Sequence, residues 1–262
     1  MNILVCIKQV PDTEAEIKPT SDGKGVNLEG LKFVMNVYDE YGVEEALKLK
    51  ESQGGEVTLI SLGPDRAVEA IRTGLAMGAD KAVHINDPAF EGSDAIVTAK
   101  VLANVIKDME YDIIFCGKQA IDDDLAQVGT ALAEFLGIPS VAVINKFEMQ
   151  DGKAIVHRQV EGGEEVFEVP LPAVFTCQKG LNEPRYPSLP GIMKAKKKPM
   201  EIKKLSDVGM EASQVGVEGS KTKILKVVLP PARSAGKKIE GETPDEIAQK
   251  LAKALKEEAK VI

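Results

Sequence analysis

The chain has 262 residues, enough to bury a full core as one large domain or as a domain with an extension, and its net charge of −8 argues against nucleic acid as the main partner. Its apolar runs have strand length and fall far short of the roughly 20 residues a spanning helix needs, so no membrane insertion is expected. The N-terminus MNILVCIKQV lacks the features of a secretory leader, and Cys6, Cys116 and Cys177 form no C-x-x-C pair, so a cytoplasmic protein with buried thiols is expected.

Ile3 to Ile7 is a β-branched-rich run of the kind that forms a buried parallel strand. Lys8 to Gly30 reads as a long polar connection. Asn36 is placed to cap a helix from about Val37 to Glu51, with Val43, Ala46 and Leu47 inward and Glu40, Glu44 and Glu45 near its positive end. Val57 to Ser61 is a second strand, and Gly63-Pro64 leads into a helix over Asp65 to Met77 with Ala67, Val68, Ile71 and Leu75 on one face. Lys81 to Ile85 is a third strand. Ser93 is expected to cap a helix through Ile106 with Ile96, Ala99, Leu102 and Ala103 inward, and Asp112 to Cys116 is a fourth strand. A helix from about Asp122 to Leu136 follows, closed by Gly137 and Pro139. Strands alternating with amphipathic helices predict an α/β domain with a mostly parallel sheet flanked by helices, and ligand sites at the carboxyl ends of its strands.

Beyond Pro139 the runs shorten to Val141–Phe147, Ala154–Gln159, Glu165–Val169 and Ala173–Thr176, with Asp151-Gly152 and Gly162-Gly163 as turns of an added hairpin region. Ser206 to Glu240 is polar with one apolar run, Ile224 to Leu229. Thr243 caps a final helix through Ala259, with Pro244 at its first position and Ile247, Leu251 and Leu255 on one stripe. Residues 1–205 are therefore expected to form the nucleotide-binding domain and 206–262 a C-terminal extension.

Leu181 to Lys198, LNEPRYPSLPGIMKAKKK, contains Pro184, Pro187 and Pro190 and reads as loop. Tyr186, Leu189, Ile192 and Met193 fit no helix or strand period there, and a basic run including Lys194 and Lys197 follows. An exposed apolar tip beside lysines suggests docking.

Gly117 to Val128, GKQAIDDDLAQV, lies after the fourth strand, where open α/β sheets bind nucleotides. Helix-end amides favour phosphate by ~0.3 to 1 kcal/mol each. A carboxylate ~8 Å from a phosphate charge costs about 2 kcal/mol at an effective dielectric of 20, so at most one of Asp122, Asp123 and Asp124 can face a phosphate closely. The alternatives are that these aspartates cap the helix and sit in water, or that they hold a divalent metal. No Walker A or G-x-G-x-x-G pattern occurs. His84 and His157 fall in strands with no nearby carboxylate or cysteine pairing, so both read as structural, and no side chain is expected to act in catalysis.

VCIKQVPD, RTGLAMGAD, GKQAIDDD and LNEPRYPSLPGIMKAKKKP together make the chain resemble the β subunit of electron-transfer flavoprotein over essentially its whole length. The resemblance implies an adenine-nucleotide α-hydrolase-like fold and a heterodimer with an α subunit that holds most of one FAD near the interface. It also implies electron transfer from acyl-CoA dehydrogenases, as in fatty-acid β-oxidation, to a membrane quinone reductase, the ETF-quinone oxidoreductase. Carried over by position, it puts contacts to a structural AMP at Cys6, Asn36, Val37, Tyr38, Asp39 and Leu62. The same carry-over runs along Gly117, Lys118, Gln119, Ala120, Ile121, Asp122, Asp123, Asp124, Leu125, Ala126, Gln127 and Val128. It makes Leu189 the anchor inserted into the dehydrogenase, with Lys194 and Lys197 beside it, and brings Val10 to Thr13 toward the FAD. Similar proteins that bifurcate electrons hold a second FAD in place of AMP. Asp123 and Leu125 depart from that pattern, whereas Ala126, Gln127 and Val128 match it. A free-standing adenine-nucleotide-binding protein of the universal-stress type shares the alternating α/β pattern but gives no role to Leu181 to Lys198.

Overall fold

The computed structural model describes residues 1–232 and 235–262. Its strands are β1 Asn2–Cys6, β2 Glu56–Leu62, β3 Lys81–Ile85, β4 Ile113–Gly117, β5 Ser140–Gln150, β6 Lys153–Val160, β7 Gly163–Pro170, β8 Ala173–Cys177 and β9 Met200–Lys203. They form one nine-stranded sheet in the order β7-β6-β5-β8-β4-β1-β2-β3-β9. Only the β5-β6 and β6-β7 pairings are antiparallel, so the hairpin region extends one edge of a parallel sheet. The mostly parallel α/β architecture read from the alternation of strands and helices is the one observed.

The central strands are mostly apolar because both faces are covered, with Thr58, Ser61, His84 and Thr176 as buried polar exceptions. On one face, Ile3, Val5, Val57, Leu59 and Phe115 meet α1 (Val37–Gln53) and α2 (Val68–Met77). On the other, Leu4, Ile60, Ile114 and Val174 meet α3 (Ala95–Ile106) and α4 (Val128–Leu136). Phe115, Phe147 and Phe175 stack with centroids 5.2 to 6.0 Å apart and join the hairpin region to the first of these cores.

Several local expectations are corrected. The connection Lys8 to Gly30 contains Gln9–Pro11, which pairs with Phe33–Met35, and a second short ladder of Lys18–Pro19 with Val26–Asn27. Asn36 holds the N-cap position of α1 without a side-chain cap bond. A 3₁₀ turn over Asp65–Ala67 precedes α2, so the α-helix itself starts at Val68 rather than Asp65. Asp94, not Ser93, caps α3 by accepting from the Val97 amide at 2.9 Å, and Ile96 faces outward. Ser93 Oγ instead accepts from the Gly216 amide at 2.9 Å.

α5 (Leu189–Ala195) runs through the segment read as loop. Proline is tolerated in the first helical turn, where its missing N–H has no partner to lose, so Pro190 opens this helix rather than preventing it. Ser188 caps it, accepting from the Gly191 amide at 3.1 Å. After β9, residues 221–243 form no helix or strand among the described residues. α6 (Pro244–Ala254) is capped by Thr243 as expected and buries none of its residues. No helix among the described residues is long and apolar enough to cross a membrane.

Candidate functional site

The strand order reverses between β1 and β4, since β2 and β3 continue outward from β1 on one side while β4 lies on the other. The crevice at the carboxyl ends of these two strands is the usual ligand position of such a sheet. Cys6 and Cys116 are in register across it. A hydrogen bond with Cys6, and then burial, push the Cys116 thiol well above its ordinary range, so Cys116 is inert lining rather than a nucleophile.

A buried polar knot fixes the walls of the crevice. Asn36 Nδ2 donates to Asp39 Oδ1 and to the Gln119 carbonyl, each at 2.9 Å, and Asn36 Oδ1 accepts from the Ile121 amide at 3.2 Å. Asp39 also accepts from the Lys8 amide at 2.7 Å and the Gly117 amide at 3.1 Å. The start of α1 is thereby tied to the loops after both β1 and β4. Burial pushes the Asp39 carboxyl up to about 7 against the hydrogen bonds from Asn36, Lys8 and Gly117. Position 117 requires glycine here, because a Cβ would sit 2.1 Å from Asp39 Oδ1.

Asp122, Asp123 and Asp124 do not cap a helix. α4 begins at Val128, and the segment before it is an exposed loop with Asp124 and Ala126 both at φ 52°, left-handed conformations uncommon for residues with a Cβ. Lys8 Nζ donates to Asp122 at 2.8 Å and Asp123 at 3.0 Å, and Gln119 Nε2 donates to Asp124. Burial lowers the Lys8 pKa, but bonds and charge from Asp122 and then Asp123 outweigh it, and the net shift is upward. Lys118 Nζ lies 5.7 Å from the Tyr38 ring centroid. No side chain caps α4, so its first amides remain open toward the crevice loop. Gly129 lets that end approach the sheet, since a Cβ there would meet Thr176 Cγ2 at 2.7 Å. The structure thus gathers Cys6, Asn36 to Asp39 and Gly117 to Val128 around one opening, with Leu62 at the end of neighbouring β2. Among the described residues no cluster of His, Cys, Asp and Glu has the form of a metal site. A cavity of about 200 Å³ lined by Asp108, Glu201, Lys203 and Asp207 contains none of the residues singled out in the sequence.

The second candidate surface lies on α5. Leu189, Ile192 and Met193 do share a helical spacing of i, i+3 and i+4, contrary to the sequence reading, and they are exposed with Tyr186. Leu189 is 80% exposed, a display that no internal packing explains. Lys194 and Lys197 are in water beside it, whereas Lys198 Nζ donates to the Leu75 carbonyl at 2.9 Å and to the Ala79 carbonyl, closing the C-terminus of α2. His84 and His157 lie in strands, as read, but His157 Nδ1 has a carboxylate partner in Glu164 at 2.8 Å. Sequence reasoning also missed Lys8, Glu44, Glu45, Asn182 and Arg185.

An open parallel sheet with a crevice at its switch point defines a doubly wound α/β protein of the kind that seats ligands at strand ends. The Electron transfer flavoprotein domain family matches residues 25–208. Electron transfer flavoprotein subunit beta of Thermoanaerobacterium thermosaccharolyticum is 46% identical over 238 residues, 90% of this chain and 91% of that one. The protein of the same name from Bacillus subtilis is 43% identical over all of both chains. Caffeyl-CoA reductase-Etf complex subunit CarD of Acetobacterium woodii is 43% identical over 98% of each. The chain belongs to the electron-transfer flavoprotein β-subunit family.

Proposed function

We infer that the chain is the β subunit of a non-bifurcating electron-transfer flavoprotein, an electron carrier rather than a catalyst. It pairs with an α subunit, holds a structural AMP in the β1/β4 crevice, and contributes the docking surface for an acyl-CoA dehydrogenase or related flavoenzyme. The electrons then pass to a membrane quinone reductase. The observation that carries this reading is the coexistence of two separate surfaces, an amide-rich crevice at the switch point and an exposed apolar turn on α5.

The residues of the crevice suit a nucleotide monophosphate. The open amides at the start of α4 face the loop, and Lys8 offsets Asp122 and Asp123, so the acidic run is less repulsive than its sequence implies. An FAD held mainly by the α subunit supplies the reversible electron chemistry. This chain positions, shields and docks.

The bifurcating form, with a second FAD in the crevice, is the second reading. It is favoured by the likeness to CarD and by the Lys8 ion pairs, which remove part of the charge objection at Asp123. Denaturing the purified heterodimer and identifying its released nucleotides separates the two. One FAD and one AMP per dimer are expected, and two FAD without AMP overturn the proposal.

A further inference from the structure

The geometry points to Arg185 as the positioning residue of the docking surface, fixing the segment that leads into α5 on α1 so that Leu189 and Met193 are presented in one orientation. This rests on the docking role inferred above for α5. Arg185 Nε and Nη2 fork onto the two Glu44 oxygens at 2.8 and 2.9 Å, and its backbone amide donates to Glu44 at 3.1 Å. Its other edge meets Glu51, two turns further along α1. Asn182 Nδ2 adds bonds to the Tyr41 carbonyl at 3.0 Å and to Glu45 at 2.9 Å.

Glu44 and Glu45 are buried in the middle of α1, where a carboxylate is costly unless it is paired. A planar guanidinium held by two carboxylates fixes direction as well as contact, which an apolar pair would not do. From Arg185 the chain is stiffened by Pro184 and Pro187 and reaches the Ser188 cap directly. α5 itself is held on α2. Gly191 lies so close to the Ala76 carbonyl that a Cβ would approach its oxygen to 2.3 Å, and Arg72 Nη1 donates to the Ala195 carbonyl at 2.6 Å. Besides the buried Ala195 and Leu181, the fastenings use polar groups and glycine, and Leu189, Ile192 and Met193 are left facing out. A docking group held in its bound orientation loses less freedom on association, which matters most for a brief complex with a small contact.

The test uses the purified heterodimer, with an acyl-CoA dehydrogenase and its acyl-CoA as electron donor, and compares Arg185→Gln, Arg185→Lys, Glu51→Gln and Leu189→Ala. Arg185→Gln is expected to raise KM for the heterodimer about threefold to tenfold with kcat unchanged. FAD content and direct reduction by dithionite stay the same, and amide exchange over residues 189–198 quickens. Arg185→Lys, which keeps the charge and loses the fork, falls between. Glu51→Gln removes half of the fork while Glu44 stays paired, so it gives a smaller KM rise even if Arg185→Gln fails to fold. An unchanged KM in Glu51→Gln and Arg185→Lys, with a raised KM in Leu189→Ala, overturns the positioning role and leaves the docking role standing. An unchanged KM in Leu189→Ala removes the docking role, and this inference with it.

Discussion

Asp39 is the residue on which the crevice turns, and its ionisation gives a measurable signature. The unfolded carboxyl titrates near 3.8 and the folded one at about 7. Between these values the folded state holds a proton that the unfolded state has released. The contribution of this group is therefore fully present below about pH 4 and is lost as pH rises through about 7, by up to roughly 4 kcal/mol. Other carboxylates, such as Asp94, have lowered pKa values and act in the opposite direction. The clean observable is the difference between wild type and Asp39→Asn: the wild-type advantage should shrink from pH 4 to pH 7 in denaturant unfolding, and a flat difference would show that the carboxyl ionises freely when folded. Asp39, Asn36 and Gly117 stood among the residues named in the sequence, but the bonds that join them to one another and to Lys8 did not. Lys8 lies 114 residues from Asp122, and only the adjacency of β1 and β4 brings them together. Glu44 and Glu45 read as acids near a helix start because a paired buried carboxylate looks like a solvated one until its cation, 141 residues away at Arg185, is placed.

At the level of elements, the strands and the main helices were legible because their apolar period is set by the layers that bury them. Ends were less so, for a consistent reason. Aspartates and prolines mark helix boundaries without saying which side of the boundary they occupy. Asp122 to Asp124 resemble an N-cap cluster yet form an ion-paired loop, and Pro190 resembles a breaker yet opens α5. Asp94 shows how much one correct cap can carry. Besides capping α3 it accepts from the amides of Lys221 at 2.8 Å and Thr222 at 3.1 Å, pinning the start of the C-terminal segment. Asp94→Ala should cost about 1 to 2 kcal/mol in the unfolding midpoint. It should also hasten amide exchange at Lys221 and Thr222, and protection unchanged there would mean that the segment is held by other contacts.

For the molecule as a whole, the sheet and its crevice form a finished core while the C-terminal segment does not. Ile224, Leu225, Val228 and Leu229 are exposed, Leu225 by 83%, and α6 buries nothing. A contiguous apolar display of this kind is stabilised by a partner and promotes association without one. The chain expressed alone should be poorly soluble and should recover when an α subunit is co-expressed. A monodisperse, soluble monomer obtained alone would argue that the segment folds back unaided. The sequence signalled this apolar run but could not say that nothing among the described residues covers it, because burial depends on every other element being placed first. One helix also links the two surfaces described above. α1 starts at the knot of Asn36 and Asp39 and carries Glu44 and Glu51 further along its 17 residues, a strut about 25 Å long. The crevice and the segment leading into α5 are thus fastened to one stiff beam, and a tilt introduced at either end would displace both. Distant positions without a shared contact ordinarily add, so a departure from additivity between Asp39→Asn and Arg185→Gln in the KM for the dehydrogenase is the expected mark of a tilt carried by α1, and strict additivity would show that the helix carries none.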